Sequence, residues 1–90
     1  MMQWSIHFSK HAIVFLTHNK LKETFVIGEV SKALQKFSGE NSNADIKKLK
    51  GMWEGFYRIR SGRLRIILEF NFEKREVHID RIDWRGNAYK

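Results

Sequence analysis

The sequence contains no cysteine, no apolar run long enough to cross a membrane, and few acidic residues for its number of basic ones. Without cysteine, neither a disulfide framework nor a thiolate metal site can form, and a reducing cytoplasm is the simplest setting. No run approaches the roughly eighteen apolar residues of a membrane span, and residues 1–9 lack the apolar core of a signal peptide. We therefore expect a soluble cytoplasmic protein whose 90 residues form a single domain, residues 1–90, around one modest core.

Positive charge is in excess and unevenly distributed. The 17 lysines and arginines outnumber the 10 aspartates and glutamates, for a net charge of +7. Residues 47–65 alone contain seven basic residues and one glutamate, a net +6. Such a block attracts polyanions in a salt-dependent way, which favours nucleic acid as the partner. An anionic membrane surface is the second alternative, less favoured because the block follows a strand pattern and not an amphipathic helix. An acidic protein partner is the third.

The most informative stretch is residues 57–66, where apolar and basic residues alternate on both sides of Ser61-Gly62. Alternation around a dipeptide suited to a two-residue turn predicts a β-hairpin. Such a turn would stack four arginines as two cross-strand pairs, Arg60 with Arg63 and Arg58 with Arg65. Like charges placed so closely destabilise a sheet. An external anion, with phosphate as the natural candidate, therefore explains this face better; the alternative is a solvated face whose side chains splay apart.

The N-terminal half reads as one strand followed by two helices. Alternation over residues 2–8 predicts the strand, and Ser9 is typical of a helix N-cap. Apolar stripes predict a short helix ending near His18-Asn19 and a longer helix ended by Ser38-Gly39. We expect residues 40–45 to form a polar loop.

The C-terminal half reads as a three-stranded antiparallel meander, preceded by a helical turn within residues 47–51. The strands are expected to begin at Trp53, Leu64 and Val77, with a turn near Glu73-Lys74. The whole chain is then an α+β fold: an N-terminal strand, two helices, and the meander, with the helices packed on one face of the sheet.

Successive side chains of a strand point to opposite faces of the sheet, so odd and even positions divide the residues between two faces. The helix-packed face is predicted to contain Tyr57, Ile59, Leu64, Ile66, Leu68, Val77 and Ile79. The opposite, open face is predicted to gather cations with a few carboxylates and a histidine: Phe56, Arg58, Arg60, Arg63, Arg65, Ile67, Glu69, His78 and Asp80. Gly86-Asn87 should break the last strand and fold Arg85 and Tyr89 around the end of the sheet, next to the open face.

Five short motifs carry a family resemblance: Leu49-Lys50-Gly51-Met52, Tyr57-Arg58-Ile59-Arg60, the Ser61-Gly62 turn, Leu64-Arg65-Ile66-Ile67 and Arg85-Gly86-Asn87-Ala88-Tyr89. With the order and length of the predicted elements, they resemble the RelE/ParE superfamily of bacterial and archaeal toxins from type II toxin-antitoxin pairs. For the RelE-like branch, the resemblance implies an endoribonuclease that cuts mRNA in the ribosomal A site and so inhibits translation. It implies no metal and no other cofactor. The implied partners are a cognate antitoxin, mRNA and the ribosome with its rRNA, and no membrane.

Carried over position by position, the resemblance assigns catalytic roles to Arg58, Arg65, Arg85 and Tyr89. ParE-like toxins, which act on DNA gyrase, often lack this set, so the set favours a ribonuclease. Two positions depart from the family pattern. Phe56 stands where the best-known members have a second basic residue, and Trp84 stands where many relatives have histidine.

Cleavage by the RNA's own 2′-hydroxyl needs a base, a cationic site for the charge that develops on the phosphorane, and an acid for the leaving 5′-oxygen. Arginine fills the second role but is a poor base because it stays protonated. Candidates for the base are His78, Asp80, Glu69 and Tyr89. We therefore add His78 as a candidate catalytic residue, the alternative being an ordinary exposed strand residue.

Six further residues are predicted to bind RNA without taking part in the chemistry: Lys47, Lys48, Lys50, Arg60, Arg63 and Trp84. The cations would track phosphates or form a solvated patch. Trp84 is expected on or near the basic face, where it would stack on bases, with structural packing as the alternative.

The histidines of the N-terminal half carry no metal signature. His7, His11 and His18 are scattered without ligand spacing, so we expect no metal site. Besides the ribonuclease, two functions remain open: a ParE-like, non-nucleolytic toxin acting on gyrase, and a non-enzymatic RNA-binding module.

Overall fold

A computed structural model describes residues 3–88. The elements follow in the order β1 (Ser5–Phe8), α1 (Lys10–His18), α2 (Glu23–Phe37), β2 (Asp45–Lys48), β3 (Tyr57–Ser61), β4 (Leu64–Asn71) and β5 (Glu76–Trp84). The strands form one sheet in the order β1-β5-β4-β3-β2, in which β1 runs parallel to β5 and the other pairs are antiparallel. The predicted α+β fold is confirmed, with five strands in the sheet instead of four.

Strand β2 is the element that the sequence pattern did not predict. Residues 45–48 pair with β3, with Asp45 opposite Arg60 and Lys48 opposite Tyr57. The helical turn expected within residues 47–51 is a single 3-10 turn at Gly51–Trp53, and β3 begins four residues later than expected. Only one residue of β2, Ile46, is apolar and packs against the core. The strand therefore depends on backbone pairing and on charge, and not on an apolar alternation.

Helix boundaries follow the predicted capping residues. The Ser9 hydroxyl accepts a hydrogen bond from the Ala12 backbone N–H at 3.1 Å and donates one to the Asp80 carbonyl at 2.6 Å. One side chain thus caps α1 and fixes its start to β5. Helix α2 ends at Phe37 with Ser38 as its C-cap, and Gly39 follows with a φ of +84°, a left-handed value that favours glycine. Within residues 3–88 no helix is long and apolar enough to span a membrane.

The core lies between the two helices and one face of the sheet. Its buried side chains come from both helices, from β3, β4 and β5, and from the loop before β2. They are Leu16, Val26, Val30, Ile59, Leu64, Ile66, Leu68, Val77, Ile79 and Ile82, with Ala12, Ala33 and, in the loop, Ala44. Tyr57 is partly buried against them. The predicted helix-packed face is confirmed.

The register of the β3–β4 hairpin differs from the predicted one. Ser61 pairs with Leu64 and Arg60 with Arg65, so the turn residues are Gly62 and Arg63 instead of Ser61 and Gly62. Gly62 has a φ of +59°, and a type II′ hairpin turn requires a positive φ at its first central position. The turn therefore moves one residue along the chain to place glycine there.

Strand β5 contains a β-bulge at Asp80. Ile67 of β4 pairs with Arg81 and the next residue, Leu68, pairs with Ile79, which leaves Asp80 as the extra residue. Beyond the bulge the side-chain parity reverses. Ile82 joins the core, and Arg81 takes the opposite face.

Candidate functional site

The face of the sheet opposite the helices, which we name the arginine face, carries Arg58 and Arg60 of β3, Arg65 of β4 and Arg81 of β5. Two cross-strand rows organise it. In the first row, Ile67 lies between Arg58 and Arg81 on the neighbouring strands; in the second, Arg65 lies between Arg60 and Asp83. Adjacent strands are about 4.8 Å apart, so these guanidinium groups share a small area.

The centre of the arginine face is covered and not open. Ile67 is fully buried although it points away from the helices, and Ala88 in the C-terminal turn is fully buried as well. Arg81 donates a hydrogen bond to the Ala88 carbonyl at 3.4 Å, and its guanidinium lies 5.6 Å from the centre of the Trp53 ring. The C-terminal turn and the segment between β2 and β3 thus meet over the sheet, with Ile67 as an apolar floor between cations.

Asp45 partly neutralises the arginine face. Its carboxylate accepts hydrogen bonds from Arg60 Nε at 2.6 Å and from Arg58 Nη2 at 3.0 Å. The hydrogen bond from Arg60, with the positive charges of Arg60 and Arg58, lowers the pKa of Asp45 below its ordinary value. Sequence reasoning missed this residue because it assigned Asp45 to a loop. An acidic residue followed by Ile-Lys-Lys could have indicated an edge strand beside the basic one.

Arg65 is buried, which corrects the expectation that it lies on an open face. The residue is 8% exposed, and its Nη1 donates hydrogen bonds to the carbonyls of Gly62 and Leu64, both at 2.9 Å. Its guanidinium therefore holds the hairpin turn in addition to contributing positive charge. Arg58 is also largely enclosed, with a side chain 15% exposed, whereas Arg60 is half exposed.

Arg63 and Arg85 extend the positive charge to the end of the sheet. Arg63 lies in the hairpin turn, and the Arg85 backbone N–H donates to the Arg63 carbonyl at 2.8 Å. Both residues are exposed. The turn after β5 contains Gly86 at a φ of +91° and places Arg85 beside the hairpin. Tyr89, the fourth residue of the predicted catalytic set, lies outside the described residues.

The predicted RNA-binding residues do not all lie on the arginine face. Lys47 pairs with Arg58 and shares its face, whereas Lys48 pairs with Tyr57, whose side chain faces the helices; both lysines and Lys50 are exposed. Trp84 lies on the helix side, with its ring 5.5 Å from that of Phe15 in α1. Its expected position on or near the basic face is wrong, because the bulge at Asp80 reverses parity before Trp84 is reached. The same reversal brings Arg81 to the arginine face, where the sequence pattern did not place it.

Three of the four candidate bases, Glu69, His78 and Asp80, lie farther along β4 and β5. His78 pairs with Glu69 across the strands and is exposed. Its ring stacks on that of His7, with 4.9 Å between ring centres. Asp80 is the bulge residue between His78 and Arg81. His78 therefore lies three residues before Arg81 of the arginine face, on the same strand.

Comparison with solved structures identifies proteins of the same fold. The RelBE2 toxin-antitoxin complex of Mycobacterium tuberculosis contains a chain that is 25% identical, with a TM-score of 0.61 over 93% of this chain and 100% of that one. A chain of the RelB-RelE antitoxin-toxin complex of Methanococcus jannaschii is 26% identical, with a TM-score of 0.62 over 92% of this chain and 94% of that one. A chain of the RelE-RelB complex of Pyrococcus horikoshii is 22% identical, with a TM-score of 0.58 over 97% of this chain and 100% of that one. At this identity the likeness shows the fold alone.

These likenesses rest on three-dimensional structure. No protein-family model matches the sequence, and no curated protein is significantly similar to it. The matched chains are nonetheless covered almost from end to end, and the two that are at least 25% identical come from complexes of a RelE-type toxin with its antitoxin. The comparisons therefore confirm the resemblance to the RelE-like toxins of toxin-antitoxin pairs.

Proposed function

We propose that this toxin is an endoribonuclease that cuts mRNA on the ribosome, without using a metal, and so inhibits translation. The observation that carries the proposal is the row Arg58–Ile67–Arg81, in which two cations flank a buried apolar floor on adjacent strands. Beside this row, Arg63 and Arg85 are held together at the end of the sheet by a backbone hydrogen bond. Guanidinium groups in such an arrangement bind phosphate oxygens in a bidentate way.

Arg58 supplies a further argument for an anionic ligand. Its Nε is buried and has no hydrogen-bond partner among residues 3–88. A buried donor without an acceptor costs about 1 to 3 kcal/mol. A phosphate oxygen that reached this nitrogen would remove that cost, which requires Arg58 to turn outward because its side chain is only 15% exposed.

The reaction that fits these groups is attack by the RNA's own 2′-hydroxyl. The 2′-oxygen forms a bond to phosphorus as its proton passes to a base, and the bond to the 5′-oxygen breaks as that oxygen takes a proton from an acid. The products are a 2′,3′-cyclic phosphate and a 5′-hydroxyl. Arg58, Arg65 and Arg85 would stabilise the negative charge that grows on the phosphorane.

Tyr89 is the proposed partner for proton transfer, by its match to the family motif, and His78 is the second candidate. Neither arginine nor lysine on this face can accept a proton at neutral pH. Tyr89→Phe separates two roles for this residue. Cleavage at a near-normal rate indicates stacking on a base, and a large loss indicates that the hydroxyl takes part.

The ribosome is expected to supply the alignment that the protein lacks. Holding the 2′-hydroxyl in line with the phosphorus can lower the barrier by several kcal/mol, and the arginine face binds phosphate without fixing the position of a ribose. Exposed Lys47, Lys48 and Lys50 would contact rRNA, which offers a dense phosphate surface. Free protein should therefore bind RNA and cut it slowly.

The cognate antitoxin is proposed to neutralise the toxin by placing acidic residues on this surface. Residues 47–65 carry a net charge of +6, which is more than Asp45 compensates. Binding should weaken as salt rises, with apolar contacts leaving residual affinity. An affinity that does not change between low and physiological salt would place the contact elsewhere.

The decisive experiment compares purified protein on programmed ribosomes and on the same mRNA alone, with transcript ends mapped by primer extension. We expect cuts within the message only on ribosomes, and loss of those cuts in Arg85→Ala. Lys74→Ala, which removes an exposed cation from the β4–β5 turn at the other end of the hairpin, is the matched control and should cut normally.

Induced expression gives the complementary test in cells. Growth arrest with intact transcripts and altered plasmid supercoiling would reject the ribonuclease in favour of a gyrase-directed toxin. Binding of RNA with neither cleavage nor growth arrest would leave a non-enzymatic RNA-binding module.

A further inference from the structure

A second cluster of polar side chains lies on the same face of the sheet, at the edge where β1 pairs with β5. His7 of β1 stands opposite His78 of β5, and Ser5 stands opposite Glu76 in the same parallel register. Glu76 and His78 are two residues apart on β5 and so point to the same side. From this arrangement we propose that His7, Glu76 and His78 form a binding site for a divalent transition-metal ion.

The geometry of the three side chains suits a shared ion. One ligand atom from each residue lies within 4.8 Å of the other two, and His78 Nε2 is 3.6 Å from Glu76 Oε1. Ligand atoms bound to one tetrahedral zinc ion at about 2.05 Å are about 3.3 Å apart. The two imidazole rings are nearly parallel, at 15° and 4.9 Å between centres. Small rotations of exposed side chains therefore bring all three atoms to coordinating distance.

The ligand set selects the class of metal. Two imidazole nitrogens and one carboxylate suit Zn²⁺, Ni²⁺, Co²⁺ or Cu²⁺, whereas Mg²⁺ and Ca²⁺ prefer sites made of oxygen atoms. Three protein ligands leave a fourth position for water. A cavity of about 260 Å³ adjoins the cluster and is lined in part by His7, His78 and Glu69, so a bound ion has room for that water.

Such an ion would join the N-terminal strand to the last strand of the sheet. Strand β1 has four residues and forms the sheet edge, and a metal bridge from His7 to β5 would hold it there. The proposed ribonuclease chemistry uses arginine cations and Tyr89, and it shares with this site only His78, the second candidate for proton transfer. Failure of either proposal leaves the other standing, because metal binding is measured without RNA.

The test is calorimetric titration of the purified, chelator-treated protein with ZnCl₂. We expect one ion per chain, and at least a tenfold weaker affinity in each of His7→Ala, His78→Ala and Glu76→Gln. The double variant His11→Ala/His18→Ala, which removes the two exposed histidines of α1, is the matched control and should keep the wild-type affinity. Equal melting temperatures of the metal-free proteins verify that the variants fold.

Two further measurements locate the ion and its effect. Co²⁺ should give the intense visible absorption of a four-coordinate site in the wild-type protein and not in His7→Ala. Zinc at 100 times its Kd should raise Tm by on the order of 10 °C, and MgCl₂ should not. Binding that is unchanged in the three variants, or lost equally in the α1 control, would overturn the site, as would a titration without saturable binding. In that last case Glu76 and His78 are only neighbouring side chains on β5, 3.6 Å apart.

Discussion

Asp45 and Arg60 face each other across the β2–β3 register and are joined by an ion pair of 2.6 Å. Because Arg58 contacts the same carboxylate at 3.0 Å, one acidic residue links two arginines that would otherwise repel each other. This shared carboxylate ties the marginal edge strand β2 to β3. It also sets how much positive charge the arginine face offers to an incoming phosphate.

The ion pair makes stability depend on pH in a specific window. Arg60 lowers the pKa of Asp45 in the folded protein, so the pair contributes its full stability above the unfolded-state pKa of about 3.9. That contribution is lost as pH falls through the lower, folded-state pKa. Asp45→Asn should therefore lower the urea midpoint at pH 6 and have less effect near pH 3, below the unfolded-state pKa, because the unfolded chain binds a proton there more readily than the folded carboxylate does.

The size of this effect is limited by solvent. The Asp45 side chain is 43% exposed, and half-exposed pairs are screened. Glu40→Gln, a change in an exposed carboxylate of the loop before β2, is the control and should have the same midpoint as the wild-type protein at both pH values. A difference between wild type and Asp45→Asn that stays constant from pH 6 to pH 3 would contradict the assignment.

Arg65→Ala should destabilise the fold as well as reduce activity. The substitution removes a side chain that is 8% exposed and leaves the Gly62 and Leu64 carbonyls without their donor. Loss of buried hydrogen bonds from a charged group predicts a cost of about 2 to 3 kcal/mol. Urea unfolding measures it, with Arg63→Ala in the exposed turn as the control, expected to lie within about 0.5 kcal/mol of wild type.

This result would change how the catalytic set is tested. The sequence alone places Arg65 on an open face, and at such a position Arg65→Ala is expected to leave the fold intact. Loss of toxicity in Arg65→Ala would then mix unfolding with catalysis. Arg85, which is exposed, gives the cleaner measurement, and an Arg65→Ala protein as stable as Arg63→Ala would restore the original interpretation.

The assignment of faces in the hairpin could be predicted although the register could not. The observed pairing of Arg60 with Arg65 instead of Arg63 moves β4 by two residues, and a shift of two keeps every side chain on its face. Gly62 determines the actual turn because it supplies the positive φ at the first central position. The alternation of apolar residues shows which side chains of a strand share a face. It does not show which residues of the neighbouring strand they pair with.

The bulge in β5 explains why the site was only partly predicted. Two polar residues, Asp80 and Arg81, stand between Ile79 and Ile82, both of which are buried. A regular strand cannot bury both isoleucines on one face, so this spacing was the available signal. A prediction that treats β5 as a regular strand misses Arg81 and places Trp84 on the wrong side of the sheet. The pairing of His7 with His78 could not be predicted either. The first and last strands are far apart in the sequence, and no local residue pattern indicates that they pair in parallel.

Trp84→Ala should lower stability more than it lowers affinity for RNA. Its ring packs edge-on against Phe15 of α1 at 5.5 Å, and it is 39% exposed. Loss of a partly buried aromatic pair predicts about 1 to 2 kcal/mol of destabilisation. Thermal unfolding and a filter-binding assay with single-stranded RNA measure the two effects. Met52→Ala, at a residue 98% exposed, is the control for both, and an intact Trp84→Ala protein with much weaker RNA binding would support stacking instead.

Asp45→Asn should strengthen the binding of RNA while it weakens the fold. The change removes one negative charge and leaves Arg58 and Arg60 facing a neutral amide in place of a carboxylate, so each guanidinium pairs more readily with a phosphate. Every additional phosphate contact on a single strand steepens the dependence of log K on log salt concentration by about 0.7. We therefore expect tighter binding at low salt and a slope steeper by about 0.7 to 1.4. Fluorescence anisotropy with a short single-stranded RNA across a salt series measures both quantities, and Glu40→Gln controls for the change in net charge. If Asp45→Asn and Glu40→Gln give the same slope, Arg58 and Arg60 do not contact RNA, and the arginine face is not the surface that binds it.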